Sequence, residues 1–128
     1  MEIKIIKPNG VFYEGTGDFL EFTTVAGEMG VYENHIPTTS ILESCVVKIH
    51  DKGMVKKAAV LGGFVEIQKH RITMLAEDAN WPEEIDVQRA KEAKARAEKR
   101  IQEHSKDTDM VRAEAALRRA LARIAATK

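Results

Sequence analysis

Up to about Trp81, apolar and polar positions alternate in short runs. These are Ile3 with Ile5, Phe12-Tyr13, Phe19 to Thr24, Cys45 to Ile49, Val55 to Leu61, Phe64 to Ile67 and Ile72 to Leu75. A period of two places alternate side chains on one face of a strand, so each run predicts a β-strand buried on one side. Pro8-Asn9-Gly10, Asp51-Lys52-Gly53 and Gln68-Lys69-His70 separate the runs and supply the residues that tight reversals use. Many short strands spaced in this way predict a sandwich or barrel.

After Pro82 the pattern changes. Gly and Pro vanish, and Ala, Glu, Lys, Arg, Gln and Leu, the strong helix formers, take over. The polar run from His104 to Asp109 breaks the apolar spacing and predicts a turn between two helices, with Asp107, Thr108 or Asp109 available to cap the second. A short loop makes the helices antiparallel. Their predicted contact faces are Ala90, Ala93, Ala97 and Ile101 on the first and Ala113, Leu117, Ala120 and Ile124 on the second. Small residues allow close approach but bury little apolar area, so the hairpin is expected to be marginally held and able to open. The predicted organisation is a β-sandwich domain over residues 1–82 and a helical hairpin over 83–128.

The chain has 128 residues, 44% of them hydrophobic, enough for a modest core. Twenty Lys+Arg balance twenty Asp+Glu, which removes any global attraction to nucleic acid or to an anionic membrane and leaves charge-based function to local clusters. No leader-like segment or membrane-length apolar run is read, so the expectation is a soluble intracellular protein. Cys45 lies in an apolar run and reads as a small buried hydrophobe.

The strongest local cluster is basic. Arg89, Arg96 and Arg100 recur on one side of the first predicted helix, and Arg112, Arg119 and Arg123 repeat the spacing on the second. In an antiparallel pair both rows border one cleft, and planar guanidinium groups bind phosphate oxygens in pairs. The same spacing also describes a solvated face, with Glu92 and Glu114 placed to pair with Arg96 and Arg118. No other cluster competes. His35, His50, His70 and His104 lack metal-ligand spacing, Gly62-Gly63 lacks the lysine and helix of a phosphate loop, and Ser40 near His35 lacks an orienting group. No catalytic residues and no metal site are expected.

The run Gly27-Glu28-Met29-Gly30-Val31-Tyr32-Glu33-Asn34-His35-Ile36-Pro37 resembles the Gly-Glu-x-Gly-x-x-x-x-His-x-Pro signature of F-type ATP synthase epsilon subunits. Gly62 to Ile67 and Ile72 to Ala79 are similar to that family's last sandwich strands, and Ile85-Asp86-Val87-Gln88-Arg89-Ala90 resembles the Ile/Leu-Asp-x-x-Arg-Ala motif of its ATP-binding members. The resemblance implies a flattened sandwich of about ten strands followed by an antiparallel two-helix hairpin. It implies a non-catalytic rotor subunit of a bacterial enzyme, peripheral at the cytoplasmic face of the cell membrane and associated with it only through its partners, the gamma subunit and the c ring. Glu28 and His35 match the loop that faces the ring, although Glu33-Asn34 stand where the family often has Pro-Gly. Asp86, Arg89, Ala90, Arg96, Arg119 and Arg123 match positions around ATP as a regulatory ligand, with magnesium as a possible companion. Asn80 stands where an acidic residue often precedes the motif.

In the expected mechanism ATP favours the folded hairpin; at low ATP the helices extend toward the alpha/beta catalytic head and oppose hydrolysis. Two alternatives are a purely structural coupling subunit and a free protein-binding adaptor. Asp86 has a simpler possible role as a helix cap.

Overall fold

The computed structural model describes residues 1–106 and 109–128. Among the described residues, ten strands form two five-stranded sheets, followed by two helices. The strands are β1 (Glu2–Lys7), β2 (Gly10–Thr16), β3 (Phe19–Thr24), β4 (Gly27–Tyr32), β5 (Thr38–Ile41), β6 (Cys45–Asp51), β7 (Met54–Val60), β8 (Gly63–Ile67), β9 (Arg71–Ala76) and β10 (Ala79–Asn80). A 3₁₀ turn at Pro82–Glu84 precedes α1 (Val87–Glu103) and α2 (Met110–Ala126).

The first sheet has the order β2-β1-β9-β8-β5 and the second β10-β7-β6-β3-β4. Strand β1 runs parallel to β9 while its other partner, β2, is antiparallel, so the start of the sandwich is closed against its end. The alternation read in the sequence turns one phase of each strand inward. Ile3, Ile5, Val65, Ile67, Ile72 and Met74 from the first sheet meet Leu20, Phe22, Val31, Val47 and Ile49 from the second, each at most 3% exposed. The hairpin between β6 and β7 turns through Lys52 (φ 51°) and Gly53 (φ 79°), the double left-handed conformation that two-residue hairpins favour, and Asp18 accepts a hydrogen bond from the Lys52 amide at 2.9 Å.

Strands β4, β5 and β10 lack the alternation that marks the others. Strand β4 contains two glycines with different reasons. Gly27 has φ 122°, a left-handed-side conformation suited to glycine, whereas Gly30 lacks a positive φ. At Gly30 a Cβ would lie 2.5 Å from the Phe19 ring, which occupies the space of the missing side chain. Packing, and not backbone freedom, accounts for the second glycine.

Asp86 caps α1 by accepting from the Arg89 amide at 3.1 Å, and Asp109 caps α2 by accepting from the Arg112 amide at 3.2 Å. Asp107 and Thr108, the other expected caps, lie outside the described residues. Ala90 and Ala97 on α1 and Ala113 and Ala120 on α2 are buried, while Ala93, Ile101, Leu117 and Ile124 are half-buried. Helix α2 also uses a face the apolar pattern did not single out. Ala122 and Ala126 pack with Ala59 and Leu61 of the sandwich, flanked by Val46 and Ile85. The hairpin therefore lies folded against β6 and β7, and Arg118 adds an ion pair to Glu43 at 3.4 Å in place of the pairing expected with Glu114.

Candidate functional site

The root of α1 is fixed before the site begins. Trp81 stacks on Phe12 with ring centroids 4.5 Å apart and meets Tyr13 edge-on at 6.1 Å, so β2 holds the chain as it leaves the sandwich. Glu84 then accepts a hydrogen bond from the Trp81 amide at 3.0 Å, closing the 3₁₀ turn and delivering Ile85 and Asp86 to the start of α1.

A cleft of about 430 Å³ opens where this root, the first turns of α1 and the last turns of α2 converge beside β10. Its polar lining comes from Asn80, Glu84, Asp86, Arg89, Arg96 and Arg123, and Ile85, Ala90 and Ala93 form its apolar floor. Three guanidinium groups face two carboxylates, so the cleft carries one more positive than negative side chain. The carboxylates have local tasks, since Glu84 binds the Trp81 amide and Asp86 binds the Arg89 amide.

Five of the six residues expected around a nucleotide line this cleft: Asp86, Arg89, Ala90, Arg96 and Arg123. Arg119, the sixth, is half-buried one helical turn before Arg123 and is not among the lining residues. Asn80 joins the site by a route that its spacing from the motif could not reveal. Its side-chain oxygen accepts from Arg123 Nε at 3.0 Å, and Asp78 accepts from Arg123 Nη2 at 3.4 Å. Arg123 belongs to α2 and its acceptors to the sandwich, so one wall of the cleft exists only while α2 is docked.

Glu28 and His35 are not brought together. Glu28 lies in β4 opposite Thr23, near the strand's start, whereas His35 follows the strand's far end and its Nδ1 is 2.7 Å from the Ile36 carbonyl. The far-end segment is tied to the β8–β9 turn by the Asn34 amide, which donates to the Lys69 carbonyl at 2.7 Å, and by Glu33, 2.8 Å from His70.

A surface not anticipated from the sequence crosses the outer face of the first sheet. Val11, Ile6, Leu75, Phe64 and Ile41 stand in register across all five strands. Ile6 is half-buried, and the other four are 38–60% exposed. The legible signal was apolar residues out of phase with the alternation, Phe64 beside Val65 and Leu75 beside Met74. The second sheet differs, because α2 lies on its β6 and β7.

Cys45 is buried, and loss of solvent pushes its thiol above the ordinary cysteine range, an effect that Glu43 adds to and hydrogen bonding from Thr23 partly opposes. The thiol is therefore kept protonated and poorly nucleophilic. Among the described residues no three His, Cys, Asp or Glu side chains form a group suited to a metal ion. No described helix is long and apolar enough to cross a membrane.

Residues 1–82 match the family described as ATP synthase, Delta/Epsilon chain, beta-sandwich domain, and residues 83–128 match ATP synthase, Delta/Epsilon chain, long alpha-helix domain. The chain is 43% identical over 127 residues to an ATP synthase epsilon chain from Symbiobacterium thermophilum, covering 98% of this chain and 91% of that one. It is 42% identical over 125 residues to an ATP synthase epsilon chain from Halalkalibacterium halodurans, covering 97% and 94% respectively. A chain in the cryo-EM structure of Euglena gracilis mitochondrial ATP synthase, OSCP/F1/c-ring, shares the fold with a TM-score of 0.85 at 20% identity, over 98% of this chain and 80% of that chain. Matched along its whole length, in both its strands and its helices, the chain belongs to the ATP synthase delta/epsilon chain family.

Proposed function

We propose that this chain is the non-catalytic epsilon subunit of a rotary ATP synthase central stalk, and that its folded hairpin binds ATP and thereby restrains its own inhibitory extension. Family membership along the whole chain supports the stalk role. The exposed apolar row Val11-Ile6-Leu75-Phe64-Ile41 suits a permanent protein neighbour, and we assign it to the gamma subunit. Glu28 and His35 remain the proposed c-ring contacts, with attachment to the cytoplasmic face of a bacterial membrane made through these partners.

The observation that carries ATP binding is the convergence of Arg89, Arg96 and Arg123 on one cleft beside Asp86. Guanidinium groups set around a common space repel one another until a polyanion bridges them, and a triphosphate supplies enough oxygens to do so. ATP acts as a population-shifting ligand. Binding only the docked hairpin adds about 2.7 kcal/mol to it at a hundredfold excess over the dissociation constant. Near-complete inversion needs roughly 5.5 kcal/mol, and contacts with gamma and the alpha/beta head supply the difference.

ATP titrated onto the isolated chain should bind saturably. Arg123→Ala should weaken binding by about tenfold or more, the scale of a lost hydrogen bond to a charged group, with a smaller loss in Arg119→Ala. No detectable binding at millimolar ATP would remove the sensor and leave the stalk role. A purely structural subunit is then the second reading, and one feature favours it. Arg123 already has acceptors in Asp78 and Asn80, so the docked hairpin has internal partners for a charge that would otherwise call for a ligand.

A further inference from the structure

Asp78 does not line the cleft, yet both of its carboxylate oxygens have partners beside it. Its Oδ1 accepts from the Ala79 amide at 2.9 Å and lies 3.5 Å from Lys7 Nζ. Lys7 is in turn fixed by donating to the Ala79 carbonyl at 3.1 Å and by lying over the Phe12 ring, 5.6 Å from its centroid. The remaining oxygen, Oδ2, reaches Arg123 Nη2 at 3.4 Å, while Asn80 takes Arg123 Nε. Two acceptors on one short stretch of the sandwich thus hold the arginine through Nε and Nη2, leaving Nη1 outside both bonds on a side chain that lines the cleft.

We infer that Asp78 is a positioning residue for Arg123, and that Lys7, Asp78 and Asn80 together make the phosphate end of the cleft depend on α2 being seated on the sandwich. This rests on the reading of the cleft as an ATP site. The electrostatics fit the role. A lone carboxylate behind an arginine would orient it but also repel an incoming polyanion. Lys7 cancels that charge, so Asp78 orients Arg123 with little net cost to the positive potential in front of it. Asn80 provides a second orienting acceptor without adding charge. The arrangement also couples binding to docking: an α2 that lifts from β6 and β7 takes Arg123 away from both acceptors, and the site loses a wall.

The test is a set of ATP titrations by calorimetry on the full chain. Asp78→Asn should weaken ATP binding by about fivefold, the upper range for a partly exposed ion pair. On an Arg123→Ala background the same change should cause no further loss of binding. Lys7→Met, which leaves Asp78 and Arg123 in place, should weaken binding in the same direction because Asp78 is then less firmly held and its charge is uncompensated. Thermal unfolding without ATP separates positioning from general stability. A purely structural role would lower the melting temperature and leave affinity at saturating folded protein unchanged. Unchanged or tighter binding in Asp78→Asn, or an equal loss with and without Arg123, overturns the inference while the ATP site stands. Wild-type protein that does not bind ATP removes the site itself, and the inference with it.

Discussion

The sandwich and the hairpin are held by different materials. Between the sheets, Ile3, Ile5, Leu20, Ile49, Ile67, Ile72 and Met74 are all at most 2% exposed, so large branched and flexible side chains fill one continuous core. In the hairpin the fully buried residues are alanines: Ala90, Ala97, Ala113, Ala120, Ala122 and Ala126. Each alanine removes much less apolar surface from water than an isoleucine does, and the buried area sets the hydrophobic gain. A well-packed sandwich therefore carries an element with lower stability of its own, which suits the proposed extension of the hairpin. The cleft sits on the line where the two materials meet, with Asn80 from one and Arg89, Arg96 and Arg123 from the other.

The largest effect should come from the sandwich. Ile72→Ala removes a side chain that is 0% exposed between the sheets and should cost about 2–5 kcal/mol. Chemical denaturation should then show strands and helices lost together, because α2 loses the surface on which Ala122 and Ala126 rest. In the hairpin, Ala120→Leu adds bulk at a seam position that is 1% exposed and should cost about 1–3 kcal/mol. Hydrogen exchange should show amides of α1 and α2 opening while β1, β6 and β9 stay protected. Equal loss of protection in the strands would mean that the two regions unfold as one, and the proposed independence of the hairpin would fail.

How far the sequence was legible follows the same division. Six strands came from patterns set by residues buried in the core, a seventh, β2, from Phe12 and Tyr13, which are only partly buried against it, and Cys45, Phe19 and Ile72 fell in elements where expected. Strands β4 and β5 were hidden because an edge strand need not alternate: Gly27 and Gly30 interrupt the first, and Thr38, Thr39 and Ser40 dominate the second. The seam of the hairpin was readable because it repeats at helical spacing. The docking face, Ala122 and Ala126, was not, because alanine on a helix suits either a buried or an exposed position and only the opposite surface decides. In the cleft, spacing along α1 and α2 put six arginines on one border; Arg89, Arg96 and Arg123 line it, and Arg100, Arg112 and Arg119 do not. The bonds from Arg123 to Asp78 and Asn80 join residues 45 and 43 positions apart, and no periodicity encodes such a contact.

The smallest effect probes the boundary itself. Asp86 is both the cap of α1 and a lining residue of the cleft, so its two roles must be separated by chemistry and not by deletion. Asp86→Ala removes both and should destabilise the hairpin by about 1 kcal/mol through the lost cap alone. Asparagine caps as well as aspartate does, since its side-chain oxygen accepts from the same amide, so Asp86→Asn should leave hairpin stability within a few tenths of a kcal/mol. What it removes is the negative charge and the acceptor strength of the second carboxylate oxygen. If that oxygen accepts from the adenine or the ribose, Asp86→Asn should bind ATP about three- to tenfold more weakly at unchanged helix content, the difference between charge-assisted and neutral hydrogen bonds. Equal ATP binding by Asp86→Asn and the natural chain, with loss only in Asp86→Ala, would assign Asp86 to the cap and leave nucleotide contact to the arginines. Helix content by circular dichroism and affinity by calorimetry, measured on the same samples, decide between these outcomes, because the cap moves both readings and the ligand contact moves only one.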